Sequence, residues 1–361
     1  MPVILNKRQT AYIFLILTMA IWGIATPVVK ATVHFVPPFT FLMLRFLISA
    51  LILLPFAIYY SRKIKIDRER WKHIAIAAII GQVLALSFLF MGIGKTQAVD
   101  AAVIGTILPV ITSILGFFIL REIITKREIE GTLIAFIGAL VIIIEPVITG
   151  HKLFNGERIQ VIGNLLVFFG VIMDSIYPIY NKKYLSADSM INPFMQISYG
   201  FIIAALIYIP LGISEQYHLY KSNSESIPIC TLEEVDEYTK NANITCDETG
   251  CFTLSDEYFC KISTTADMSF SHYLSKNIFS YLSSKALYGI FYMAVFSGIV
   301  AYFLYLKGLK AIEASEASVF QYLQPLFAIP ISIIFLGEQV SSVFVLGAVI
   351  IGIGIYLVER R

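Results

Sequence analysis

Long apolar runs, separated by short polar segments, set the rhythm of this chain. Ten of them are read, at 12–29, 39–59, 74–93, 98–120, 129–147, 162–180, 193–211, 286–306, 314–336 and 341–358. A helix rising about 1.5 Å per residue needs about 20 residues to cross about 30 Å of hydrocarbon, so each run predicts one crossing. Lipid offers no partner to an open backbone, so the crossings are expected as helices. The first run follows Lys7 and Arg8, carries Trp22, Gly23 and Pro27, and lacks a small-residue cleavage site; it is read as a retained span, not a signal peptide.

Basic residues orient the chain. Arg62, Lys63, Lys65, Arg68, Arg70 and Lys72 lie between the second and third runs, Lys126 and Arg127 between the fourth and fifth, Lys182 and Lys183 between the sixth and seventh, and Arg360 and Arg361 at the end. With ten crossings all of these fall on one face, expected to be cytoplasmic, with both termini there and the segment 213–283 outside a plasma membrane.

Composition agrees with lipid as solvent. Of 361 residues 57% are hydrophobic and 14% charged, with a mean hydropathy of +0.77; soluble domains carry about 25% charged residues. The net charge of +2 selects no partner, and no nucleic acid is expected.

The chain repeats itself. "AVDAAVIGTILPVITSILGFFILRE" (Ala98–Glu122) and "ASEASVFQYLQPLFAIPISIIFLGE" (Ala314–Glu338) align without a gap at the offset of 216 residues between Pro109 and Pro325. The same offset carries Gly92 to Gly308, Asp100 to Glu316, Thr125 to Ser341, Gly131 to Gly347 and Gly138 to Gly354. A weaker echo links Pro37–Pro55 with Asn192–Pro210, and Pro27 with Pro178. Five runs in each half is an odd number, so the second half enters the membrane from the opposite side. Inverted repeats of this kind give alternating access to a site near the midplane. The expected fold is therefore all-α: ten transmembrane helices as two inverted repeats, 1–147 and 148–358, the second interrupted by 213–283.

"AIWGIATPVVK" in the first run, "LMLRFL" in the second, and two copies of an A-x-[DE]-A…P…L-x-E…G pattern resemble the EamA-type transporters of the drug/metabolite transporter superfamily. The resemblance covers nearly everything outside 213–283. It implies a ten-helix bundle with a central cavity and peripheral fifth and tenth spans, and leaves the substrate open among amino acids, other metabolites, nucleotide-linked sugars and drugs.

All four cysteines, Cys230, Cys246, Cys251 and Cys260, lie in the long outer segment. Their confinement there points to two disulfides in an oxidising compartment. Of three pairings the nested one, Cys230–Cys260 around Cys246–Cys251, is favoured; a zinc site is the rival reading, though no paired C-x-x-C is present. "TLEE" (Thr231–Glu234) has capping-box spacing, and Asn243-Ile244-Thr245 is a glycosylation sequon. Phe270, Tyr273, Leu274, Ile278, Tyr281 and Leu282 recur at helical steps, predicting an amphipathic helix on the membrane surface.

Ionisable groups inside lipid are costly and therefore informative. Arg45 and Asp174 are the deepest. Arg45 divides between a site role and packing against carbonyls of a neighbouring helix. Pro178 frees the carbonyl of Asp174, as the matching Pro27 frees that of Gly23, predicting two broken helices at related places. Around these, Trp22, Thr26, Gln82, Tyr177, Tyr199, Tyr302, Gln321, Tyr322 and Gln324 complete a candidate substrate site. Aromatic faces, amides and one acid suit a small ligand with a cationic or amino group and an apolar part. A phosphorylated ligand would need several converging cations, and only Arg45, with Lys30 and Lys95 at the outer mouth, is at hand. Asp100 and Glu316, at helix starts, read as structural.

"GIGKT" (Gly92–Thr96) mimics a phosphate loop, but the required first glycine is Leu89. With no H-E-x-x-H, no G-x-S-x-G and no metal-spaced histidines, neither an enzyme, a cofactor nor a metal is expected. The sequence thus predicts a secondary transporter moving amino acids or similar small metabolites outward, with a coupling proton and the lipid bilayer as its other partners. The alternatives are a carrier of organic cations or drugs, and a receptor or scaffold using the external loop without transport.

Overall fold

The structure is a computed structural model that describes residues 7–121, 126–149, 157–186, 188, 190–225, 229–230, 244–246, 250–253, 258–262, 270–283, 285–312 and 314–359. It divides into two compact units, Met1–Ile209 with Ala286–Arg361, and Pro210–Lys285.

Every apolar run folds as helix. In order these are α1 (Lys7–Val33), α2 (Pro38–Lys63), α3 (Arg68–Lys95), α4 (Ala98–Leu120), α5 (Lys126–Thr149), α6 (Glu157–Asn181) and α7 (Pro193–Glu225). After the second unit's helix α8 (Phe270–Ser283) come α9 (Ala286–Ala311), α10 (Ala314–Val319), α11 (Phe320–Leu336) and α12 (Ser342–Glu359). Among the described residues seven helices are long and apolar enough to cross a membrane, and α11 and most of α12 are shorter apolar helices. Leu51, Ile52, Leu54 and Phe56 of α2 and Ile333, Ile334 and Phe335 of α11 are exposed, Phe335 by 79%. Such continuous apolar surface is what a lipid solvent allows.

Local signals begin and end these helices. Pro38 occupies the first turn of α2, where its missing N–H costs nothing. The Asp67 carboxylate accepts from the Arg70 amide at 3.0 Å to cap α3. Small residues allow close packing where no hydrophobic effect drives helices together: α5 and α12 meet at Gly138 and Gly347, where a Cβ on Gly138 would lie 2.8 Å from the Gly347 carbonyl.

Three irregularities recur near the 216-residue offset, while the π stretches Lys182–Ser186 and Ser332–Leu336 have no such counterpart. A π-helical stretch interrupts α3 at Ile79–Leu84 and α9 at Tyr292–Val300. A break at Thr106–Ile107 in α4 corresponds to the 3-10 turn Phe320–Leu323 that opens α11, each followed by a first-turn proline, Pro109 or Pro325. The helices then end on left-handed residues, Arg121 at φ 61° and Gly337 at φ 66°. A π stretch leaves carbonyls without helical donors; the Tyr208 hydroxyl donates to Gln82 and Val83 O at 3.1 and 2.8 Å, and Ser49 Oγ donates to Ala294 O at 2.9 Å.

The expected breaks at Pro27 and Pro178 are not where the irregularities fall. α1 and α6 run helically through both prolines. A proline can persist inside a spanning helix where neighbouring groups support the backbone; the Tyr292 hydroxyl donates to Ile21 O of α1 at 2.8 Å.

In the second unit the chain forms a small sheet: β1 (Ile229–Cys230), β2 (Ile244–Cys246), β3 (Gly250–Thr253) and β4 (Tyr258–Ile262), ordered β1-β4-β3-β2. β1 runs parallel to β4, and the other pairs are antiparallel. The register sets Cys246 opposite Cys251, Cys251 opposite Cys260, and Cys230 opposite Ile262. No strand was expected here, because segments this short carry no readable alternation. The amphipathic helix is present as α8, with Phe270 and Tyr273 against Tyr217 and Tyr220 of α7 at ring separations of 5.3–5.7 Å. Thr231–Glu234, Asn243 and Glu122 lie outside the described residues.

Candidate substrate site

A cavity of about 120 Å³ opens inside the first unit, between α1, α2, α3, α6, α9 and α11. Eight of the residues expected from sequence line it: Trp22, Thr26, Arg45, Asp174, Tyr177, Tyr302, Gln321 and Gln324. Pockets for drug-sized ligands run to about 300–1,000 Å³, so this space suits a small ligand or a narrowed conformation.

Aromatic rings build one wall. Trp22 meets Tyr302 and Tyr305 at centroid distances of 5.2 and 5.1 Å, and Tyr177 meets Tyr302 at 6.0 Å. The Trp22 indole is fixed by donating to Ser297 O at 3.1 Å, a carbonyl within the π stretch of α9. The local irregularity therefore aims a cavity residue. Tyr177 is held from behind by the Gln82 amide, which donates to its hydroxyl at 3.4 Å.

Arg45 is 1% exposed and lines the cavity. Its guanidinium carbon lies 5.1 Å from the Phe46 ring centre and 5.7 Å from that of Phe90. Among the described residues neither Nε nor Nη1 has a hydrogen-bond partner. Burying a charge costs several kcal/mol, and a desolvated cation–π contact returns about 2 kcal/mol, so the rings offset only part of that cost. Asp174 lines the same cavity one turn before Pro178. The ion pairs between described residues lie elsewhere, joining Arg70 to Asp67 and Asp188, and Lys72 to Glu69.

Four expected residues do not line the cavity. Gly23 sits at a helix contact instead, where a Cβ would meet Gln324 O at 2.6 Å and Phe327 Cβ at 2.8 Å. Gln82 supports Tyr177 from one layer out. Tyr199 faces away, donating to Ala57 O at 3.1 Å and packing on Trp71 at 4.7 Å. Tyr322 is next to Gln321 in the turn opening α11 and is not part of the lining. Conversely, the cavity uses Tyr305, Ser297, Leu86, Leu89 and Phe90, which sequence reasoning missed. Tyr305 was detectable, since it stands three residues from Tyr302 and shares its helix face.

A second buried acid, Asp100, is hydrogen-bonded outside the cavity lining. Asp100 Oδ2 accepts from Thr96 Oγ1 at 3.1 Å and Gln160 Nε2 at 2.9 Å, consistent with a structural residue at a helix start. The two carboxylate oxygens of Glu338 accept from the Ala98 and Val99 amides at 2.7 and 2.9 Å, so the segment just after α11 caps the start of α4.

A helical membrane protein with a polar, aromatic cavity among its apolar helices has the form of a small-molecule carrier. The EamA-like transporter family model matches residues 9–144 and 268–360, and the chain belongs to that family. An uncharacterized transporter of Bacillus subtilis (strain 168), YetK, is 23% identical over 99% of this chain and 90% of its own length. A second from the same organism, YyaM, is 23% identical over 97% of this chain and 93% of its own. An S-adenosylmethionine uptake transporter of Rickettsia prowazekii (strain Madrid E) is 27% identical over 50% of this chain and 56% of its own. A solved crystal structure matches with a TM-score of 0.55 at 13% identity, covering 98% of this chain and 96% of that one, which shows a shared fold. The chain is thus an integral membrane protein of a transporter family.

Proposed function

We propose that this protein is a secondary transporter of amino acids or similar small amine-bearing metabolites, working by alternating access between two inverted halves in the plasma membrane. Both termini are placed on the cytoplasmic side and the segment 213–283 outside, its cysteines disulfide-bonded. The observation that carries the substrate class is an acid, Asp174, within a small aromatic cavity that offers the ligand's amino group a counter-charge and ring faces. The π stretches, mid-helix breaks and left-handed helix ends that recur at one offset support the paired halves. Helix pairings support them too: Gly92 of α3 packs on Gly163 and Val167 of α6 as Gly308 of α9 packs on Ala11 and Leu15 of α1. S-adenosylmethionine, named for one relative, itself carries an amino-acid end.

The sequence reading expects export, and that relative is named for uptake, so the assay must read both directions. Purified protein in vesicles preloaded with unlabelled leucine should accumulate labelled leucine by exchange. Asp174→Asn should lower the exchange rate at least tenfold and change its pH dependence if the residue also carries a coupling proton. An unchanged rate and pH profile would remove Asp174 from the site. Exchange of bulky lipophilic amines in place of amino acids would instead identify an organic-cation carrier.

A further inference from the structure

Asp174 accounts for one end of an amine-bearing ligand and leaves the cavity's other charge unexplained. Arg45 is buried, lines the cavity, and has unpartnered Nε and Nη1 donors. Its surroundings are the rings of Phe46 and Phe90, which attract a cation but accept no conventional hydrogen bond. A packing role against neighbouring carbonyls would show as hydrogen bonds from those nitrogens, and none is made among the described residues. A buried guanidinium with unmet donors beside a cavity favours an anion there, and a carboxylate is the anion its charge-assisted donors suit.

We propose that Arg45 is the carboxylate anchor of the substrate site, so that the ligand is a zwitterion held by its carboxylate at Arg45 and by its amine at Asp174. Tyr302 lines the same cavity as both groups. This rests on the amine-binding reading of Asp174 and goes beyond it: an organic cation satisfies Asp174 alone and leaves Arg45 buried and unpaired, whereas an amino acid satisfies both. Selection against simple amines is built into the cavity.

The test compares three ligands of one shape on the purified full chain: leucine, isoamylamine, which lacks the carboxylate, and 4-methylvalerate, which lacks the amine. Binding is read by calorimetry and by the shift of the unfolding midpoint with concentration. In the unaltered protein leucine should bind at least tenfold more tightly than either fragment. In Arg45→Met that advantage over isoamylamine should fall to about one, because only the amine contact remains. The ligand-free midpoint of Arg45→Met should not fall, and should rise if removal of the buried charge dominates, since an apolar chain of similar length replaces it. Arg45→Lys keeps charge without the fork and should restore part of the preference.

Equal binding of leucine and isoamylamine to the unaltered protein would overturn the carboxylate anchor and leave the amine reading intact. A fall in the ligand-free midpoint of Arg45→Met with leucine preference retained would also overturn it, and would return Arg45 to packing. Failure of all three ligands to bind would overturn both readings.

Discussion

Arg121 ends α4 at φ 61°, and Gly337, 216 residues later, ends α11 at φ 66°. A left-handed backbone costs a residue with a Cβ about 1 kcal/mol and costs glycine little. Gly337→Ala should therefore lower unfolding stability in detergent by about 1 kcal/mol, while Arg121→Gly should be neutral or stabilising. Side chains within the spans were legible to different degrees. Arg45, Asp174 and Trp22 were found because a charge or an indole inside an apolar run stands out, and all three line the cavity. Tyr199 was misleading for a physical reason: a tyrosine in such a run has the same sequence signature whether its hydroxyl meets a cavity or, as here, a backbone carbonyl. Leu89 and Phe90 were invisible because lining a cavity and facing lipid call for the same apolar residues.

Elements were legible where length decides and hidden where geometry does. Each run of about 20 apolar residues became helix, but nothing in composition distinguishes the π stretches of α3 and α9 from the regular turns beside them. Their signature lies in partners far along the chain, such as Tyr208 and Ser49, which satisfy the freed carbonyls. The cap of α4 is similar: Glu338 supplies it from the segment just after α11. Glu338→Ala should leave two amides without acceptors and cost about 1 kcal/mol in chemical unfolding, with Glu338→Gln retaining part of it. Between α6 and α7, Asp188 accepts from Arg70 Nε at 2.6 Å and from the Met190 amide at 2.9 Å. The Arg70 hydrogen bond first, and the Met190 amide second, hold the Asp188 carboxyl below its usual range. A depressed folded-state pKa gives stability that is present above the unfolded value, about 3.9, and lost as pH falls through the folded one. The stability difference between the unaltered protein and Asp188→Asn should accordingly be full at pH 7 and shrink below about pH 4.

At the scale of the molecule, the offset that repeats sequence also repeats backbone irregularity, and two related halves that can exchange conformations are what a carrier requires. The offset was visible because prolines, glycines and acids sit at fixed intervals in otherwise permissive apolar sequence. The small sheet was not, because strands of two to five residues carry too little alternation. The cavity lining was half visible: the acid and aromatics could be named, but the state of Arg45 Nε and Nη1, unpartnered among the described residues, exists only in three dimensions. The most direct test of alternating access is two-sided labelling of the cavity. Thr26→Cys places a thiol on its wall, and a membrane-impermeant thiol reagent is applied from each side of oriented vesicles, with the unaltered chain as background. Reaction from both sides, slowed on both by leucine, is the predicted result. Reaction from one side only, at a rate leucine does not change, would contradict alternating access and leave a static membrane scaffold.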